Sequence, residues 1–275
     1  MRRLKSIILI AVLLIFLSAC AQMTKPDTQT TVSPVLDRIM QTGELTVGTA
    51  GIMPPLSMKT KDGQIIGMEA DIAKMMADAM GATLKFETMP FHKLGSALEA
   101  GDVDMVLSGV TITPGRNLKA AFVGPYLVSG KGLLTKIETL ASVTETTEID
   151  SPETILTALK GSTSQAFAES FLPKAQLILA EDYDEAVDLV IQDKAHALIA
   201  DYPICIVSVF RHPNDGLLSM LTPLTYEPYG VALPPNDPHF VNWVENFLTM
   251  LEGSGQMDEL KAKWFKEGEW LDRLP

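Results

Sequence analysis

From Leu36 onward, short apolar runs of strand length alternate with stretches whose apolar positions recur at helical spacing. That pattern argues for α/β architecture with mostly parallel sheets. Glu44 to Thr49 predicts a strand, and Asp62-Gly63 marks a turn before a second strand piece at Gln64 to Gly67. Asp71 to Met80 places Ile72, Met75, Met76 and Met80 on one helical face and meets a stop at Gly81. Thr83 to Thr88 predicts the next strand, Lys93 to Glu99 the next helix, and Met105 to Thr111 a strand that runs on to Arg116. A second series follows Gly130 to Leu134. Ser151-Pro152-Glu153-Thr154 has the cap and first-turn proline of a helix start, and Ser164 to Phe171 predicts a further helix. Leu177 to Ala180 then reads as a strand, Tyr183 to Gln192 as a helix, and Ala195 to Ala200 as a strand ending on Asp201. Lys136 to Asp150, charged and rich in Thr, reads as a loop, and helices over Pro238 to Leu251 and Met257 to Phe265 follow. Two similar series imply two lobes facing a cleft.

The first residues follow a different rule. Arg2, Arg3 and Lys5 precede an apolar run from Ile7 to Leu17, and Leu17-Ser18-Ala19-Cys20 matches a lipoprotein cleavage site. The run is shorter than the roughly 20 residues a membrane span needs. Residues 1–19 are therefore expected to be a signal peptide and Cys20 the lipid-bearing end of the mature chain. Residues 20–35, rich in Thr, Gln and Pro, read as a tether.

The chain has 275 residues, 47% of them hydrophobic, enough to bury one large domain or two lobes. Its 22 basic and 34 acidic side chains give −12, and −15 without residues 1–19, a balance that phosphates would repel. Nucleic acid is thus excluded as a partner. With Cys20 committed to lipid, Cys205 has no disulfide partner, and its setting Ile204-Cys205-Ile206-Val207 is that of a buried hydrophobe.

The candidate chemistry centres on Arg116. It closes the run Ser108-Gly109-Val110-Thr111-Ile112-Thr113-Pro114-Gly115-Arg116, where a planar fork of donors stands among hydroxyls and amides, a cradle suited to a carboxylate. Lys160-Gly161-Ser162-Thr163-Ser164 opens a helical stretch whose free amides can meet an anion as well. Asp201 supplies an acid at the mouth of a strand. One basic group, two donor clusters and one acid would read a zwitterion. Catalytic signals are lacking: His92, His196, His212 and His239 show no metal-ligand spacing, and no nucleophile elbow or paired-cysteine motif occurs. Gly124 to Gly132 departs from a phosphate loop at Pro125 and Gly132 and reads as part of a hinge. Neither metal nor cofactor is expected.

In this order the chain resembles the family-3 bacterial extracellular solute-binding proteins, the receptors of polar amino-acid importers. The resemblance rests on Gly48-Thr49 with Pro55, Gly63 to Asp71, Phe91-His92-Lys93-Leu94, Gly101-Asp102-Val103-Asp104, Thr111 to Arg116, Phe122 to Tyr126, Gly161-Ser162-Thr163, Ala200-Asp201 and Lys263-Trp264-Phe265. It implies a type II periplasmic-binding-protein fold, with two lobes, two parallel-rich sheets and a two-strand hinge. Lobe 1 would hold residues 36–129 and 230–275 and lobe 2 residues 130–229, with crossings near Val128 to Leu133 and Tyr226 to Val231. By resemblance, Arg116 holds the ligand carboxylate with Thr111, the backbone of Ser108 and Gly109, and Ser162 and Thr163. Asp201 takes the α-ammonium, and Phe91 packs on the side chain. Met53 stands where family members often place an aromatic lid, and Ala50 where binders of basic amino acids tend to carry an acid. An uncharged amino acid is the expected ligand and an ABC permease the expected partner. The protein would be a monomer held by its lipid at the periplasmic or extracellular face of a membrane. Two alternatives stay open: a ligand-sensing orphan receptor, and an enzyme like the cyclohexadienyl dehydratases, which resemble these proteins. For the enzyme a glutamate is expected three residues beyond Asp201, where this chain has Ile204.

Overall fold

The computed structural model describes residues 33–143, 146–220 and 223–275. The leader over 1–19, Cys20 and the tether up to residue 32 lie outside the described residues. Helix α1 (Pro34–Thr42) begins inside the stretch expected to be tether and ends on Gly43 in the left-handed region. Its start is fixed from far along the chain, because buried Asp237 accepts from Ser33 Oγ (2.7 Å) and Val35 N (2.8 Å).

Strand β1 (Glu44–Thr49) leads into a small antiparallel sheet of β2 (Ile52–Met53), β3 (Ser57–Lys59) and β4 (Ile65–Ile66), then α2 (Met68–Met80). Helix α2 starts three residues before the predicted Asp71, and it buries Met68, Ile72 and Met76 completely. Each such side chain contributes about 1.5–3 kcal/mol by leaving water. There follow β5 (Thr83–Thr88), α3 (Leu94–Ala100), β6 (Met105–Val106), the single-turn α4 (Pro114–Asn117) and β7 (Ala121–Ser129). The second series comprises β8 (Lys131–Thr135), α5 (Glu138–Ala141), β9 (Ile155–Leu159), α6 (Thr163–Phe171), β10 (Gln176–Ala180), α7 (Tyr183–Ile191), β11 (Ala197–Asp201), α8 (Tyr202–Arg211) and β12 (Leu218–Ser219). The chain closes with β13 (Glu227–Leu233), α9 (Pro238–Gly253) and α10 (Gln256–Phe265).

Among the described residues these strands form two five-stranded sheets, ordered β5-β1-β6-β13-β7 and β10-β9-β11-β8-β12. In each, three consecutive strands are parallel and the other pairings antiparallel. The fold is thus type II periplasmic-binding-protein α/β with parallel-rich sheets. The chain leaves the first sheet after Ser129 and enters the second at Lys131. Gly130 marks that passage: a Cβ there would lie 2.2 Å from Thr225 O on the returning segment. The two crossings are also stitched by Lys131 N to Thr225 Oγ1 (3.0 Å) and Leu224 N to Lys131 O (2.8 Å).

Three expectations need correction, the first being the loop over Lys136 to Asp150, which holds the single-turn α5 at Glu138–Ala141. Ser151 to Thr154 starts no helix. Thr154 N closes a turn on Ser151 O (3.0 Å), and the chain enters β9, whose Leu156 and Ala158 are buried and which is paired in register on both sides. Long-range pairing overrides a local cap signal there. The strand expected over Met105 to Thr111 is regular only at Met105–Val106; beyond it the chain bends through Gly109, at φ +59°, to build part of the site.

Candidate functional site

The carboxyl ends of strands from both sheets converge on one pocket, the position where open α/β sheets bind ligands. From the first sheet come Phe91 after β5 and the Ser108 to Arg116 segment after β6, joined by Met53 in β2 of the small sheet. From the second come Ser162 and Thr163 after β9, and Asp201 ending β11. The nine side chains and backbone sites singled out in the sequence all border this pocket, whose walls lie close together and leave a free volume of about 10 Å³. Ile52, Leu159 and Tyr183 border it too and were not anticipated.

The Arg116 side is held from beneath. Ser108 Oγ accepts from Ala50 N (2.9 Å), and Ile112 N and Gly230 N bind the hinge strand and loop to each other (2.7 Å to Pro228 O and 3.1 Å to Val110 O). Gly109 approaches Met53 so closely that a Cβ would meet its sulfur at 2.0 Å. The Gly109 N–H, expected to serve the ligand, instead donates to the buried Glu69 Oε1 (2.7 Å), which also accepts from Tyr126 Oη. Burial pushes the Glu69 carboxyl up despite these donors. Arg116 sits in the short α4, capped by Thr113, whose hydroxyl accepts from Arg116 N (3.2 Å). Its guanidinium donates to Thr111 O (3.0 Å) and, across the cleft, to Gly161 O (3.2 Å), and it lies over the Phe91 ring at 5.6 Å from the centroid. Two of five donors are so used, leaving others for an anion. Burial lowers the Arg116 pKa and the carboxylates of Asp201 and Glu227 oppose that shift, so the group stays charged.

After β9 of the second sheet Ser162 caps α6, accepting from Gln165 N (3.1 Å) and donating to Leu159 O (2.6 Å). The first-turn amides of α6 have no intrahelical acceptor, which makes them anion donors. Asp201 holds the acidic end, but not alone. Lys131, fully buried, places Nζ 2.6 Å from Asp201 Oδ1 and 3.3 Å from Glu227 Oε2. Glu227, at the start of β13, accepts from Thr111 (2.8 Å), Thr163 (3.0 Å) and Thr225 (3.1 Å), so one carboxylate joins both faces of the cleft. Burial raises its pKa, but Lys131 and the three hydroxyls outweigh burial and hold it below the usual range. Burial and then the Asp201 charge push the Tyr183 phenol well up, so it remains a donor. Arg116 and Asp201 are the base and the acid that border the pocket, and Lys131 and Glu227, which the sequence reading did not single out, stand behind them.

Lys131 and Asp201 are register partners in the antiparallel β8–β11 pair, a relation that spacing along the chain does not reveal. Further out, His92 Nδ1 stands 3.5 Å from Glu181 across the cleft mouth. Among the described residues no group of three or more His, Cys, Asp or Glu is placed to hold a metal, and no helix is long and apolar enough to cross a membrane. Cys205 is buried, its thiol pushed up to about 12 by burial and then by Asp201.

The profile of the bacterial extracellular solute-binding proteins, family 3, matches residues 45–267. A cyclohexadienyl dehydratase of Pseudomonas aeruginosa is 27% identical over 231 residues, covering 84% of this chain and 86% of that protein. An ABC transporter glutamine-binding protein of Bacillus subtilis is 29% identical over 208 residues, 74% of each. Among solved structures, a putative binding component of an ABC transporter from Wolinella succinogenes, complexed with lysine, superposes with a TM-score of 0.79 at 36% identity, covering 84% of this chain and 99% of that one.

Proposed function

The chain belongs to the bacterial extracellular solute-binding proteins of family 3, and from that premise we propose that it captures an amino acid with an uncharged side chain and delivers it to an ABC permease. One observation carries the reading. Arg116, with two donors engaged by the backbone, and Asp201, with Oδ1 engaged by Lys131, border one pocket from segments that follow two different sheets. The α-carboxylate would sit on Arg116, the Ser108 hydroxyl and the first turn of α6, where Ser162 and Thr163 begin the helix. The α-ammonium would sit on Asp201. Thr111 contributes indirectly, by fixing Glu227. Ile52, Met53, Leu159 and Phe91 supply an apolar wall for the side chain. Both ligand charges are met only when the lobes are together, so ligand favours closure by its differential affinity for that state.

Lobe 1 would span residues 36–129 and 230–275 and lobe 2 residues 130–229, with the crossings at Gly130 and before Glu227 as the hinge. Cys20 would carry the lipid, and residues 20–35 would hold a monomeric body outside the cytoplasm. A permease encoded beside this chain would favour transport over sensing. The dehydratase reading draws on the Pseudomonas aeruginosa relative. Against it, Ile204 stands where a proton-donating glutamate is expected, and Glu227 is held ionised and surrounded by donors.

A thermal-shift screen of residues 21–275 against the twenty amino acids, with prephenate and arogenate alongside, tests the proposal. Ligand at a hundred times its dissociation constant should stabilise the protein by about 2.7 kcal/mol. A shift confined to a few neutral amino acids is expected. Consumption of prephenate or arogenate would replace the receptor with the enzyme.

A further inference from the structure

Lys131 is the least expected group in the site. Lysine is almost never fully buried unless paired, and here it shows 0% exposure between two carboxylates. Its strand starts at the first crossing, Glu227 starts the strand that returns from the second, and Asp201 ends the strand between them. Both oxygens of Glu227 are engaged, Oε2 by Thr111, Thr163 and the ammonium and Oε1 by Thr225. Asp201 is half used: Oδ1 takes Lys131, while among the described residues Oδ2 accepts no hydrogen bond. Arg116, Lys131, Asp201 and Glu227 together sum to zero charge.

Resting on the amino-acid reading above, we infer that Lys131 is a specificity-determining residue, an internal cation that reserves a single carboxylate oxygen for the ligand and so selects net-neutral zwitterions. A zwitterion pairs its carboxylate with Arg116 and its ammonium with Asp201, and the buried site stays neutral. An amino acid with a cationic side chain brings one positive charge too many beside a lysine that cannot leave. Uncompensated buried charge is costly, so the discrimination works by repulsion as much as by fit. Without Lys131 the same walls would carry a net negative charge and favour the cation.

The test compares pairs of ligands that differ only by a terminal ammonium: 2-aminobutyrate with 2,4-diaminobutyrate, norvaline with ornithine, norleucine with lysine. Affinities are measured by titration calorimetry at pH 8 on the protein and its Lys131→Met variant. The unaltered protein should prefer the neutral member of whichever pair it binds by tenfold or more. Lys131→Met should move that ratio toward the cation by tenfold or more, and the double variant Lys131→Met with Glu227→Gln should move it back. A ratio within twofold of the unaltered protein in Lys131→Met would overturn the inference. So would an unaltered protein that prefers the aminated member, although the amino-acid reading would survive. If no amino acid binds at all, the premise falls and the inference with it. Should Lys131→Met fail to fold, Glu227→Gln alone decides. It leaves an excess positive charge beside Asp201, so the affinity of a 2-hydroxy acid relative to its amino acid should rise tenfold or more; no rise overturns the inference.

Discussion

Arg116 reaches the pocket at the end of one continuous segment, Ser108 to Arg116, that is braced by β1 on one side and β13 on the other. The acidic end is assembled differently, from Lys131, Asp201 and Glu227 on three strands that meet only when the second sheet forms and the chain returns to the first. The first half offers a ligand open donors, whereas the second has already satisfied most of its charge internally. A site built this way anchors a carboxylate firmly and meters how much positive charge may join it. The two halves should therefore respond unequally to mutation.

Arg116→Ala should have the largest effect. It removes the guanidinium that borders the pocket and leaves a ligand carboxylate buried and unpaired, a loss of about 3–5 kcal/mol that takes binding below detection by calorimetry. Asp201→Asn should cost less, about 10- to 100-fold, because a charge-assisted bond is exchanged for a neutral one. It should also lower the melting temperature of the free protein, since Lys131 then keeps Glu227 alone. Equal losses in the two variants would erase the asymmetry between the halves.

Glu227 sharpens the comparison through pH. Its folded pKa lies below the ordinary glutamate range, so its clamp on Thr111 and Thr163 is fully present above that range and is lost only as pH falls through the lowered value. Melting measured from neutral to acid pH should show a loss in the unaltered protein at the low end that is diminished in Glu227→Gln. Ser162→Ala should be the mildest, about 1 kcal/mol from the lost cap of α6, seen in denaturant unfolding. Ligand affinity should change little, because the amides of the first turn remain.

The same division governs how much the chain disclosed before folding. The Arg116 cradle is contiguous, so its hydroxyls, its guanidinium and its place beyond a strand were legible from order alone, and Thr83 to Thr88 was legible as a strand from its alternation. Ser162 and Thr163 were legible as a helix start, and Asp201 as the end of an apolar run. Lys131 and Glu227 were not, because their meaning depends on which strands become neighbours: β8 runs antiparallel to β11, and Glu227 arrives from the second crossing. Ser151 to Thr154 misled for the same reason, since β9 is decided by its partners rather than by the cap that precedes it. The Gly109 backbone was assigned to the ligand by resemblance alone, and the acceptor that takes its amide, Glu69, lies 40 residues earlier.

The central claim is that one pocket reads both ends of a zwitterion, and analogues of whichever amino acid binds test it directly. Calorimetry would compare that amino acid with its 2-hydroxy acid, which lacks the ammonium, and with its decarboxylated amine, which lacks the carboxylate. The account predicts that the amine does not bind and that the hydroxy acid binds about 10- to 100-fold more weakly. An amine or a hydroxy acid that binds as well as the amino acid would contradict it.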